Sequence, residues 1–262
     1  MENERRVQQK TPASRYALLD ELRGLDLISM MLYHACWDLV FLFDVTMRWY
    51  AGTPGRLWQQ SICWVFILLS GFCAPFGRHM LRRGVTVFAA GALVTAVTLV
   101  FMPGNRVIFG VLTFLGTAML LTGVLEPLLK KVMPAVGLAV SAVLFAVCYP
   151  VGLGWVGLGG WKLMLPQSLY ANYFTAFFGF YPDWFYSADY FGLLPWLFLF
   201  WAGYYLHKAV GRRRMEPLRR PVCPALGWMG RHSLLLYLLH QPVIYGVLTV
   251  VFLLLRRGGG AL

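Results

Sequence analysis

Seven long apolar stretches punctuate the chain, at about 22–43, 60–77, 85–102, 107–126, 134–153, 190–207 and 233–255. Each runs close to the roughly 20 residues that a helix needs to cross a hydrocarbon core. Polar, glycine- or proline-containing joints separate them. The segment 154–189 breaks this rhythm. It opens with GWVGLGGWKLMLP, and its apolar part, Leu169 to Tyr181, is short, aromatic and bounded by Pro166 and Pro182. That length suits a re-entrant or interfacial segment near 166–182 better than a crossing. The pattern therefore predicts an all-α integral membrane protein, a polytopic helical bundle of about seven spans (range 7–9). A polar leader occupies 1–14, with the composition of a disordered segment. One domain covers 15–257, and 258–262 forms a short flexible tail.

Composition agrees. Of 262 residues 59% are hydrophobic and only 13% charged, about half the charge with which a soluble domain covers its surface. The five cysteines, Cys36, Cys63, Cys73, Cys148 and Cys223, are odd in number and form no CxxC pair, against a disulfide framework or a zinc site. The first apolar run follows its leader without a small-residue cleavage pattern and is long enough to stay in a bilayer.

The net charge of +12 changes the picture less than its size implies. Arg5, Arg6, Lys10 and Arg15 precede the first run, which places the N-terminus in the cytoplasm, for a protein of the cell (inner) membrane. Alternation then puts Arg78, Arg82 and Arg83 inside, followed by Lys130 and Lys131. If 169–181 does not cross, Lys208, Arg212, Arg213, Arg214, Arg219 and Arg220 also fall inside, while Arg256 and Arg257 fall outside against the trend. The excess is thus what topology demands, and nucleic acid binding gains no support from it. The alternative reading of these cations is the phosphates of a cytosolic cofactor or anionic lipid headgroups.

The first run carries the chemistry. LDLISMMLYHACWDLVFLF, Leu25 to Phe43, contains Asp26, His34 and Asp38 at a depth where ionisable groups are costly and usually functional. At 100° per residue, Asp20, Arg23, Asp26, His34 and Asp38 fit an arc of about 120°, with Glu21 pointing elsewhere. Such a stripe must face protein or water. His34 and Asp38 are one turn apart, so the carboxylate can orient the imidazole as a general base; the structural alternative is a bond that locks two helices together. Near the last run, GRHSLLLYLLHQP supplies Arg231, His232, His240 and Gln241. Both histidines could border one cavity, and Pro242 deprives the Leu238 carbonyl of its helical partner and predicts a kink. Arg231 reads as the helix's cytoplasmic entry, near phosphate-bearing groups. Ser70 in FILLSGF reads as a small packing residue. HExxH, Walker and GxGxxG patterns are absent from the sequence, which leaves zinc hydrolysis and nucleotide-fold chemistry without support.

In order and spacing, LLDELRGLDLISMMLYHACWDL, FILLSGF, RVIFGVLTFLG, DYFGLLPWLFLFWAGYYL and GRHSLLLYLLHQPV resemble the bacterial membrane proteins grouped with heparan-alpha-glucosaminide N-acetyltransferase, over about Tyr16 to Leu248. The resemblance implies an acyltransferase with acetyl-CoA as donor and no metal, acting on an amine or hydroxyl of a sugar or other small-molecule or glycan acceptor. It implies His34 as the catalytic group with Asp38 orienting it. Arg23 and Arg231 would suit the CoA phosphates, and Asp20, Asp26, His232, His240 and Gln241 would line the substrate path. Relatives often show histidine where this chain has Thr113. Membrane lipids are the expected surroundings, and the oligomeric state is open, a homodimer included. Two rival readings remain. A transporter or flippase for a polar lipid or sugar would use the stripe as a proton path, though no inverted repeat is visible. A catalytically silent scaffold is the other.

Overall fold

A computed structural model describes residues 15–258. The leader expected at 1–14 lies outside them, as does all but the first residue of the tail expected at 258–262. Helix accounts for 74% of the structure, and the described residues contain one two-stranded sheet. The long helices are α1 (Ala17–Phe41), α2 (Thr53–Cys73), α3 (Met80–Phe101), α4 (Val111–Leu129) and α5 (Pro134–Cys148), then α7 (Leu193–Arg214) and α9 (Ser233–Gly258). Two short helices, α6 (Tyr173–Phe178) and α8 (Pro224–Arg231), complete the set. Pro54, Pro134 and Pro224 stand in the first turns of α2, α5 and α8. There the missing N–H costs nothing and the fixed φ favours helix entry.

Five segments are long and apolar enough to cross a membrane: Thr53–Phe76, Met80–Phe101, Val111–Leu129, Pro134–Leu153 and Ser233–Leu255. Two of the seven stretches expected to cross are not among them. The 25 residues of α1 correspond to about 37 Å at 1.5 Å per residue, and its charged stripe lowers its hydropathy. The backbone of α7 leaves helical geometry at Leu194 and Gly211, which leaves 195–210 as continuous helix, about 24 Å long, with a basic end beyond it. On α3 and α9 the large apolar side chains point outward: Val85, Phe88, Leu93, Val97 and Phe101 on one, Leu235, Leu239, Val243, Val247 and Leu254 on the other. Exposed apolar rows of this length mark a surface made for lipid rather than water.

Helix pairs approach closely through glycine. α1 packs on α8, α2 and α5 on α7, and α3 on α4. A methyl on Gly24 of α1 would overlap the Leu226 carbonyl of α8, and one on Gly230 of α8 would overlap the Asp20 carbonyl of α1. Gly71 of α2 and Gly203 of α7 repeat the arrangement, against the Phe200 and Leu68 carbonyls. Where lipid is as apolar as leucine, close backbone contact of this kind takes over the work of a hydrophobic core. α9 runs through Pro242 without a break, so the expected kink does not interrupt the helix.

Among the described residues, the segment 154–189 holds no helix long enough to cross a membrane. Residues Trp155–Leu158 (β1) and Trp161–Met164 (β2) form an antiparallel hairpin, pairing Trp155 with Met164 and Leu158 with Trp161. Gly159 and Gly160 form its two-residue turn, with Gly159 at φ +62°. The six residues of α6 extend only about 9 Å. Asn172 and Thr175 close a capping box at its start, and Gly179, at φ +116°, ends it.

Candidate active site

α1 lies against α2, α8 and α9, and its polar stripe faces them. Asp20, Asp26 and Asp38 are buried, and Arg23 and His34 are half-buried. Asp20 accepts from Arg15 Nε at 2.6 Å and lies 3.7 Å from Arg23 Nη1, so it balances charge at the start of the helix. Glu21, expected to point elsewhere, is also buried, and its two oxygens accept the Val222 N–H at 2.9 and 3.1 Å just ahead of α8. One oxygen of Asp26 is buried without a hydrogen-bond partner.

Deeper in the bundle, α1 and α9 face each other with two pairs of polar side chains. The rings of His34 and His240 lie 4.9 Å apart, centre to centre. Beside them, Gln241 Nε2 donates to Asp38 Oδ1 at 2.6 Å, and the other oxygens of Asp38 and Gln241 are buried without partners. The carboxylate that the i,i+4 spacing assigns to His34 is therefore held by Gln241, because α9 brings an amide into range from the neighbouring helix. His240 Nδ1 lies 2.5 Å from the Tyr237 carbonyl one turn earlier, and its Nε2 is buried without a partner.

A cavity of about 480 Å³ opens beside this layer, between α1, α2, α3, α4 and the start of α9. Arg23, Arg78, Arg82 and Arg83 line one end, and Phe66, Ser70, Leu115 and Tyr237 line its interior. No carboxylate is among the lining residues described. Asp20 offsets part of the Arg23 charge, and the other three arginines form no ion pair within the described residues. The wall is thus cationic at one end and apolar further in, a form that fits the phosphates and pantetheine arm of a coenzyme A thioester. Guanidinium groups are well suited to phosphate through paired hydrogen bonds. Tyr237 forms the far wall. Its hydroxyl donates to Asp189 Oδ2 at 3.2 Å, and the same oxygen accepts the Val111 N–H at the first turn of α4, at 3.1 Å. Burial pushes the Asp189 carboxyl up, and those two bonds oppose the shift.

Several expected site residues lie elsewhere. Arg231 is exposed and does not line the cavity. His232 is also exposed: its Nδ1 meets the Trp228 carbonyl at 2.9 Å, and its ring lies on the Trp228 indole. The eight positions from His232 to His240 lead from surface to interior, so the two do not share a cavity. Thr113 packs against Gly91 where α3 meets α4 and is not among the residues lining the cavity. Ser70, read as a packing residue, lines the cavity. Sequence reasoning did not single out Tyr237 or Asp189, and it read Arg78, Arg82 and Arg83 first as topology, with cofactor phosphates or lipid headgroups as the alternative. The only signal for the arginines was their clustering between two apolar runs.

The family model described as heparan-alpha-glucosaminide N-acetyltransferase, catalytic, matches residues 15–242, a span that takes in the arginines, the cavity and the histidine pair. No curated protein and no solved structure matches the chain. With most of its length covered by that model, the chain belongs to the heparan-alpha-glucosaminide N-acetyltransferase family, and so to the membrane acetyltransferases.

Proposed function

We propose that this protein moves the acetyl group of acetyl-CoA onto an amine or hydroxyl of a sugar or glycoconjugate, using histidine at membrane depth. The observation that carries the reading is the acid-free arginine-lined cavity, whose far wall, Tyr237, adjoins the histidine pair. Arg78, Arg82 and Arg83, with Arg23, hold the phosphates at the cytoplasmic end, the N-terminus being cytoplasmic. The thioester reaches inward along Phe66 and Leu115. From Ser233 at the cavity wall to His240 is seven residues of α9, or about 10 Å along the axis, a distance within reach of an extended pantetheine arm. The surrounding apolar side chains keep water from the thioester. A histidine then takes the proton that the acceptor loses as its nitrogen or oxygen attacks the acetyl carbonyl.

Purified protein in detergent, given acetyl-CoA labelled on the acetyl group, tests this directly. Wild type should bind the donor and release its label to an acceptor or, slowly, to water. Replacing both histidines, His34→Ala together with His240→Ala, should leave donor binding in place and abolish the transfer. No binding at near-millimolar acetyl-CoA would refute the assignment and leave the polar stripe as a transport path.

A further inference from the structure

The two histidines differ in how they are held. His34 is half-buried and makes no hydrogen bond among the described residues. His240 is only 7% exposed, with Nδ1 2.5 Å from the Tyr237 carbonyl. A carbonyl can only accept, so Nδ1 carries the proton and the lone pair is on Nε2. That nitrogen is buried, has no partner, and belongs to a ring whose neighbour across the helix interface is the His34 imidazole. A backbone carbonyl thus gives His240 the fixed tautomer that the sequence spacing assigns to His34.

The next residue explains the placement of Asp38. Gln241 follows His240 on α9, and its amide is gripped by Asp38 of α1 at 2.6 Å. Asp38 is fully buried, so this bond is shielded from water and sets the rotation of α9 against α1 at the level of the two rings. Removing one partner leaves the other buried without a hydrogen bond, a cost of about 1–3 kcal/mol or more when it is charged.

We propose that His240, through Nε2, is the base of the transfer, and that Asp38 is a positioning residue acting on it through Gln241; this rests on the acetyl-transfer reading above. In the step, the acceptor N–H or O–H proton passes to His240 Nε2 while the acceptor atom bonds to the acetyl carbonyl carbon. The C–S bond breaks as the tetrahedral centre collapses. The CoA thiolate takes the proton back from the imidazolium, giving acetylated acceptor and free CoA thiol, with His240 returned to its Nδ1–H form. His34 faces this imidazole as a neutral neighbour.

Two measurements test the proposal. Nitrogen-15 NMR of histidine-labelled protein, with His240→Gln to assign the signal, should show His240 as the Nδ1–H tautomer. An Nε2–H tautomer overturns the proposal whether or not activity is found. In turnover assays with labelled acetyl-CoA, His240→Gln should lower kcat by about 10²–10⁴-fold with acetyl-CoA binding within about twofold, as removal of the base alone requires. An active wild type with equally active His240→Gln overturns the assignment and leaves acetyl transfer standing, whereas a wild type that neither binds nor turns over acetyl-CoA overturns acetyl transfer itself. For Asp38, the conservative variant decides. Asp38→Asn keeps an oxygen for Gln241 and should retain kcat within about threefold, while Asp38→Ala should lose tenfold or more at unchanged donor KM, in line with the energy of one buried hydrogen bond. Equal losses in the two variants would show that the charge, not the Gln241 bond, is what matters.

Discussion

Arg83 offers the sharpest test of the donor site. It sits in the first turn of α3, half-buried, with its guanidinium against Gly77 and no carboxylate within ion-pair range among the described residues. A charge-assisted hydrogen bond to phosphate in such a setting contributes about 1.5–3 kcal/mol, or roughly 10–150-fold in affinity at 1.4 kcal/mol per decade. Arg83→Gln should fall in that range. Arg23→Gln should cost less, because Asp20 already takes part of its charge at 3.7 Å, and Arg15 stays on Asp20 after the change. Arg82 is exposed, where ion pairs are worth about 0–1 kcal/mol, so Arg82→Gln should weaken binding about fivefold at most. Equilibrium binding of labelled acetyl-CoA would give this order, Arg83 above Arg23 above Arg82. S-acetylpantetheine, which lacks the nucleotide phosphates, is the control ligand. Its weak binding should be the same in all four proteins, and all penalties for acetyl-CoA should shrink as salt shortens the screening length from about 10 Å at 0.1 M to 3 Å at 1 M. Arg83→Gln binding acetyl-CoA within twofold of wild type, or losing S-acetylpantetheine equally, would refute the phosphate assignment.

Two stability predictions accompany it. Gly203→Ala pushes a methyl into the Leu68 carbonyl of α2 and should cost about 1–3 kcal/mol through overpacking, lowering the melting temperature in detergent; Gly246→Ala in α9, where nothing lies within 4 Å, should be neutral, and equal melting curves would rule out close α2–α7 contact. Asp189→Ala should destabilise by about 1–2 kcal/mol, since it frees the first N–H of α4 as loss of an N-terminal cap does, while Asp189→Asn keeps an acceptor and should lose less; identical melting temperatures for the two would mean that the Val111 bond contributes nothing.

The long helices could be read from sequence because each is a near-continuous apolar run, and in a bilayer length and hydropathy are almost the whole rule. The stripe on α1 was equally readable, since helix geometry fixes which residues share a face without knowing what the face meets. Three features needed the third dimension. The Gly159–Gly160 turn is a hairpin signal, but from Trp155 to Met164 Lys162 is the one charged residue, and a single charge gives no alternation to reveal strands. α8 is eight residues long, too short for a periodic pattern, and its glycines show their purpose only against α1. The arginines between α2 and α3 answered a topological demand that places positive charge where a phosphate site would also place it. Charge alone cannot separate those causes; an acid-free cavity behind them can.

Asp38 shows why partners are harder to read than faces. Its nearest polar neighbour along the chain is His34, four residues away, whereas its actual partner, Gln241, is 203 residues away. Nothing local distinguishes the two. Burial supplies the distinction: a carboxylate with no exposure at membrane depth must be hydrogen-bonded, and an amide on a second helix satisfies it while also fixing that helix's rotation. The same argument accounts for α1 as a whole. A helix with four buried carboxylates is too polar for the apolarity criterion that five other segments meet, yet α2, α8 and α9 pack against it and cover its stripe. α8 holds α1 close through Gly24 and Gly230, and α9 supplies the histidine. The polar residues that make α1 a poor membrane helix by itself are thus the ones around which its neighbours assemble, and the base falls on the neighbour rather than on α1.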